Sequence, residues 1–278
     1  MSILKGSISA QLCIVKANKS KNNTSKMKKL IIAASFLLAL ISTGSNLQAQ
    51  QAKNVVLVHG AFADGSGWKN LYNVLTKKGY NVTIVQNPLS SLEDDVAATN
   101  LALDKQDGPT ILVGHSWGGT VITEAGNHPK VTALVYVAAV QPDNGETTLQ
   151  WLQTAPPAPE NGVLPADEKG IVYFSKEKFH AGFAGDIPKA EADFMYASQG
   201  AFHAKGFVTP ITNAAWRNKP SFAVIATEDK AIVPEIQRNM YKRSNTKSTE
   251  VKGSHVVFIS QPEKVAAVII EASKATGK

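Results

Sequence analysis

The chain has 278 residues, enough for one large domain or two small ones, and its apolar fraction of 44% suits a globular core. The formal charge of +7 is concentrated in residues 1–49, which hold seven of the 29 basic residues and no acid, so the remainder balances at 22 basic and 22 acidic groups. A neutral folded part excludes the charge signature of a nucleic-acid or anionic-membrane binder.

Residues 27–49 read as a secretory signal peptide. Lys28 and Lys29 open it, and the apolar run Leu30 to Ile41 is too short to span a bilayer. Ala49 supplies a small residue for cleavage. This predicts an exported chain, periplasmic or secreted, with no membrane anchor once mature. Residues 1–26 are polar and rich in Lys, Asn and Ser, which predicts a non-structural leader or a true start at Met27. The only cysteine, Cys13, lies in this leader, so the mature chain has no disulfide, thiolate nucleophile or Cys metal ligand.

Residues 50–278 are expected to form a single domain. Asn54 to Val58 is a wholly apolar run, as in a strand buried on both faces. His59-Gly60-Ala61-Phe62 follows. Trp68 to Lys78 has helical spacing, with Trp68 and Tyr72 expected in the core and Gly79 as the stop. Asn81 to Val85 is the next strand. Ser90 and Glu93 form a capping-box pattern for a helix reaching about Gln106. The apolar run Ile111 to Val113 is a strand that stops at Gly114, a helix follows from Thr120, and Val131 to Val140 is another buried strand. Strands and helices alternating at short spacing predict a mostly parallel sheet with helices on both faces.

Residues 141–219 break the rhythm with a Pro-rich loop and short helical pieces around 173–185 and 189–200. They predict a small helical cap over the site edge. Its aromatic residues, among them Phe174, Phe183 and Trp216, make it apolar enough to roof a pocket. Ser221 to Ala226 resumes the strands. Gln237 to Lys242 is helical, Ser248 to Val251 is the last strand, and Pro262 to Ser273 is a final amphipathic helix.

The chemistry is concentrated at Gly114-His115-Ser116-Trp117-Gly118. A strand, a sharp turn carrying a serine at its tip, and then a helix is the context of a nucleophile elbow. The turn holds the serine backbone under strain, and side chains two positions either side would collide, so both are glycine. A serine hydroxyl needs a base, and the base needs a carboxylate. Of the downstream histidines, only His255 falls between a late strand and the last helix. Asp229 ends the preceding strand; Glu228 is the adjacent alternative and Asp143 a remoter one. Backbone N–H groups of Trp117 and Ala61 are candidates for the oxyanion hole. His59 and His115 read as structural hydrogen-bonding groups. No pattern suggests a metal site or a phosphate-binding loop, so the expected chemistry uses no cofactor and no metal.

Val56-Leu-Val-His-Gly-Ala61, the elbow, Ala226-Thr-Glu-Asp-Lys-Ala-Ile232 and Gly253-Ser-His255 together resemble the α/β-hydrolase superfamily. More narrowly, they resemble the branch of salicylate-type methyl esterases, hydroxynitrile lyases and small bacterial esterases. The resemblance covers residues 54–275 and implies the α/β-hydrolase fold. It implies Asp229 as the acid and Ala61 as an oxyanion donor. The lyases of that branch carry Thr where this chain has Gly60, and Lys where it has Val256. The resemblance therefore implies hydrolysis of a small or medium uncharged carboxylic ester by Ser116, His255 and Asp229. A lactonase, thioesterase, C–C hydrolase or lyase on the same residues, or a non-catalytic receptor on this scaffold, are the alternatives. The partner implied is a small-molecule ester, with no nucleic acid; oligomeric state is not encoded.

Overall fold

The computed structural model describes residues 51–276; the expected leader and signal segment, residues 1–49, lie outside the described residues. The chain enters on strand β1 (Asn54–Val58), passes through a short 3-10 turn (Gly65–Trp68) and forms helix α1 (Lys69–Lys77). Strand β2 (Asn81–Val85) leads to α2 (Leu92–Asp104), β3 (Thr110–His115), α3 (Gly118–Ala125) and β4 (Val131–Val137). Four short helices and a small ribbon intervene: α4 (Thr148–Leu152), β5 (Ile171–Val172), α5 (Lys176–Phe183), α6 (Lys189–Ala197), β6 (Phe202–His203) and α7 (Lys205–Val208). The chain then closes with β7 (Ser221–Ala226), α8 (Pro234–Arg243), β8 (Lys247–Val251), α9 (Val257–Ser260) and α10 (Pro262–Ala275).

Six strands pair in parallel in the order β2-β1-β3-β4-β7-β8. Strands β1, β3 and β4 are buried almost end to end, as apolar runs covered on both faces should be. Right-handed crossovers put α1 on one face and α2 and α3 on the other, because the strand order reverses at β1. That reversal leaves a crevice at the carboxyl ends of β1 and β3, the general place for a ligand in such sheets. Residues 59–62 and Ser116 sit there.

Three local expectations are corrected. The N-cap of α2 is Ser91, whose Oγ accepts from the Asp94 N–H at 3.1 Å, while Ser90 lies outside the helix and bonds the Asp94 carboxylate. Strand β4 stops at Val137, because Ala138 turns the chain with φ 46°. Trp68 is buried, but Tyr72 lies on the outer side of α1, 40% exposed. Between β4 and β7 the cap contains the two expected helical stretches and also an antiparallel ribbon, β5 with β6.

Candidate active site

Ser116 sits at the end of β3 with φ 55°, a left-handed conformation that costs a β-carbon-bearing residue of order 1 kcal/mol or more. Backbone packing enforces it. A β-carbon at Gly114 would fall 2.4 Å from the Gly118 carbonyl oxygen, and one at Gly118 would fall 2.5 Å from the Val58 carbonyl oxygen. The predicted need for two bare positions is therefore a requirement of contact between β1, β3 and α3. Behind the turn, the Val140 N–H donates to the Ser116 carbonyl at 3.2 Å.

Three side chains that are distant in sequence meet at this point. His255 Nε2 lies 2.9 Å from Ser116 Oγ, and His255 Nδ1 lies 2.7 Å from Asp229 Oδ2. All three residues are buried. A carboxylate only accepts, so Nδ1–H donates to Asp229, leaving Nε2 free to accept from the serine hydroxyl. Asp229 also takes the N–H groups of Ala231 and Ile232 and the side-chain amide of Gln237. Its orientation is thus fixed by the start of the loop into α8 and by α8 itself. The alternatives are placed elsewhere: Glu228 faces Lys252 at 3.6 Å in solvent, and Asp143 forms a two-pronged bond to Arg217 at 2.6 Å.

Ala61 and Trp117 line the same pocket as Ser116 and His255. Among the described residues, neither of their N–H groups donates to a backbone carbonyl. The loop bearing Ala61 presses on the serine, since a β-carbon at Gly60 would lie 2.6 Å from Ser116 Cβ. His59 pins that loop: its Nε2 accepts from the Asn87 N–H at 2.9 Å and its Nδ1–H donates to the Gly60 carbonyl at 2.9 Å. Burial lowers the His59 pKa, which keeps it neutral and able to do both. His115 is likewise neutral, its pKa held well below the usual value by burial first and by the neighbouring His255 second. Both are structural hydrogen-bonding groups, as expected.

Two carboxylates here escaped the sequence reading. Asp186, in the cap between α5 and α6, accepts from the Ser254 N–H at 2.9 Å and from the hydroxyls of Ser254 and Ser260. It therefore grips the loop that carries His255. Asp95, on α2, is completely buried and accepts from the Trp117 indole N–H at 2.8 Å. Burial pushes its pKa up to about 6. Neither has a local sequence signature.

The floor of the pocket is polar and its walls are apolar: Phe62, Val140, Leu152, Phe183, Phe207 and Ile232. Leu152, Val163, Phe207 and Ala231 also border a second chamber of about 570 Å³ under the cap. Among the described residues, no charged side chain lines that chamber, whose polar side chains are Gln153 and Asn161.

Residues 55–268 match the Alpha/beta hydrolase family. The chain belongs to that family. This alpha/beta hydrolase is 26% identical over 243 residues to the alpha/beta hydrolase nvfD of Aspergillus novofumigatus, covering 79% of this chain and 96% of the relative. It is 28% identical over 248 residues to a pyrethroid hydrolase of Sphingobium wenxiniae, covering 78% and 86% respectively. The crystal structure of a pyrethroid hydrolase from Sphingobium faniae JZ-2 shares its fold, with a TM-score of 0.69 at 22% identity, covering 81% of this chain and 98% of that one.

Proposed function

We propose that this alpha/beta hydrolase cleaves small or medium uncharged carboxylic esters through Ser116, His255 and Asp229. The observation that carries the reading is the continuous hydrogen-bonded chain from Ser116 Oγ through His255 to Asp229, buried and opening into an apolar pocket. Relatives named as hydrolases support it.

In the proposed reaction His255 Nε2 takes the hydroxyl proton as Ser116 Oγ attacks the ester carbonyl. Asp229 keeps the imidazole in the Nδ1–H tautomer and stabilises its cation. The oxyanion is received by the Ala61 and Trp117 N–H groups. Collapse expels the alcohol, which leaves with the proton from His255. Water, activated by the same imidazole, then releases the acid. The uncharged lining favours a neutral substrate, one apolar arm of which reaches toward the second chamber. No cofactor or metal takes part in this scheme.

A fluorophosphonate that labels the wild-type protein at Ser116, together with loss of p-nitrophenyl butyrate hydrolysis in Ser116→Ala, is the expected result. Unchanged hydrolysis by Ser116→Ala would overturn the proposal. We place the reaction outside the cytoplasm on the strength of residues 27–49. Sequencing the N-terminus of the exported protein tests this, with a mature start near Gln50 expected and a retained Met1 counting against it.

A further inference from the structure

We infer that Asp95 is a positioning residue for the oxyanion hole, acting on the main chain of Trp117 through the indole hydrogen bond. The inference rests on the proposed role of the Trp117 N–H. Asp95 belongs to α2, a different element from the elbow, and among the described residues it forms no ion pair. Each of its two carboxylate oxygens is committed. Oδ2 accepts from the Trp117 indole N–H at 2.8 Å, and Oδ1 accepts from the Leu89 N–H at 2.7 Å. A bare buried carboxylate is costly, and burial raises its pKa to about 6. It stays tolerable because both donors point at it.

The Trp117 side chain is held on its remaining sides by the cap. Its ring packs against Phe202 at 5.1 Å and Phe207 at 6.3 Å between centroids. The cap is tied to the same carboxylate by a second route. Leu89, held at φ 61°, gives its N–H to Asp95 and accepts from the His203 N–H of β6 at 2.9 Å. Asp95 thus fixes both the indole and the strand that packs on it. Trp117 is the first residue after the strained serine, so anchoring its indole fixes the place of its Cα and, through it, the peptide plane that carries its N–H. An oxyanion donor works only when aimed at the position the charged oxygen will occupy.

Asparagine at position 95 cannot reproduce the arrangement. Its amide has one oxygen for two donors, so an N–H must face either Leu89 or Trp117. Trp117→Phe removes the indole donor while keeping an aromatic ring. The experiment compares wild type, Asp95→Asn, Trp117→Phe and the double variant, with p-nitrophenyl butyrate as substrate and phenylboronic acid as a mimic of the tetrahedral intermediate. Losing an oxyanion donor outright costs about 10²–10³ in rate, so misaiming one is expected to lower kcat about tenfold. KM is expected to stay within about twofold, the boronate inhibition constant to rise in step with the loss in kcat, and the double variant to be no worse than the weaker single. A merely structural carboxylate would lower the unfolding midpoint without moving boronate affinity. If Asp95→Asn does not fold, Trp117→Phe alone decides the matter. Unchanged kcat and boronate affinity in a wild-type background that a fluorophosphonate labels at Ser116 would overturn this inference alone. A wild-type protein that neither labels nor hydrolyses would overturn the proposed function and this inference with it.

Discussion

The His115 side chain reaches across to the backbone of His255, its Nε2–H donating to that residue's carbonyl oxygen at 3.0 Å. The residue just before the serine therefore holds the main chain of the residue that faces the serine. The two rings also lie 4.6 Å apart between centroids. Replacing His115 by Phe keeps a ring in the same space but removes the donor. The expected outcome is a loss of about 1–3 kcal/mol in unfolding free energy, the range for orphaning a buried polar group, read from urea denaturation. The proposed ester hydrolysis should also fall per folded molecule, measured as kcat on p-nitrophenyl butyrate.

Asp229→Asn preserves the shape of the acid but not its preference for an Nδ1–H imidazole. In a serine protease the equivalent change costs about 10⁴ in kcat through the wrong tautomer, and the proposed reaction gives Asp229 the same part. A loss of that order is expected here. Glu228→Gln, a change in solvent, should leave kcat within about twofold. Steady-state kinetics of the pair distinguishes the two adjacent acids.

Asp186→Ala frees Ser254 and Ser260 from the cap. The His255 loop is then held by fewer bonds, and kcat should fall with less effect on KM. Asp186→Asn can still accept from the Ser254 N–H, so partial recovery is expected. Equal activity in all three proteins would show that the loop needs no help from the cap.

The pH dependence of stability follows from Asp95. Its carboxyl titrates near the usual 3.8 when unfolded and at about 6 when folded. Between these values the folded protein holds a proton that the unfolded chain has released. The contribution of Asp95 to stability therefore declines as pH rises from about 4 to about 6, and stays low above that. Asp94, next to it on the helix, adds a like charge in the same direction, while Glu93 and Lys205 pair with each other in solvent at 3.6 Å. Asp95→Asn cannot ionise. Stability of wild type relative to this variant should drop by about 2 kcal/mol between pH 4 and pH 7, in parallel urea titrations.

Ala231 stands on the wall between the serine pocket and the larger chamber. Ala231→Trp should fill the passage. Hydrolysis of p-nitrophenyl octanoate should then fall at least about tenfold, with p-nitrophenyl acetate much less affected. Parallel losses on both esters would show that the chamber does not take the substrate's longer arm.

The parts of this molecule that were legible in its sequence are those whose physics is local. Gly114, Ser116 and Gly118 announce a cramped turn because the collisions they avoid occur within five residues and one neighbouring strand. Strands β1, β3, β4 and β7 were legible because burial on both faces demands short apolar runs, whereas the edge strands β2 and β8 are largely open to solvent and show only as extended, β-branched stretches. Ser91 in place of Ser90 as the cap of α2 is a one-residue error between two equivalent hydroxyls, resolved only by backbone geometry. Tyr72 was misplaced because helical spacing marks a stripe, and its edge residues face solvent. Asp95 and Asp186 were invisible for another reason. The partners that tie them to the site, Trp117 and Ser254, lie 22 and 68 residues away, and nothing in the neighbouring sequence distinguishes a buried acceptor from a solvated charge.

The glycine contacts around Ser116 come from stretches that the chain makes far apart: the end of β1, the tip of β3 and the bend at Val140. None of them can hold the left-handed serine alone. On the proposed reading of Ser116 as the nucleophile, a chain in which they are not all seated should leave position 116 an ordinary alcohol. Reactivity at that hydroxyl should consequently switch on in a single step with completion of the sheet, making covalent capture of the serine a sensor of the finished fold as well as of chemical competence.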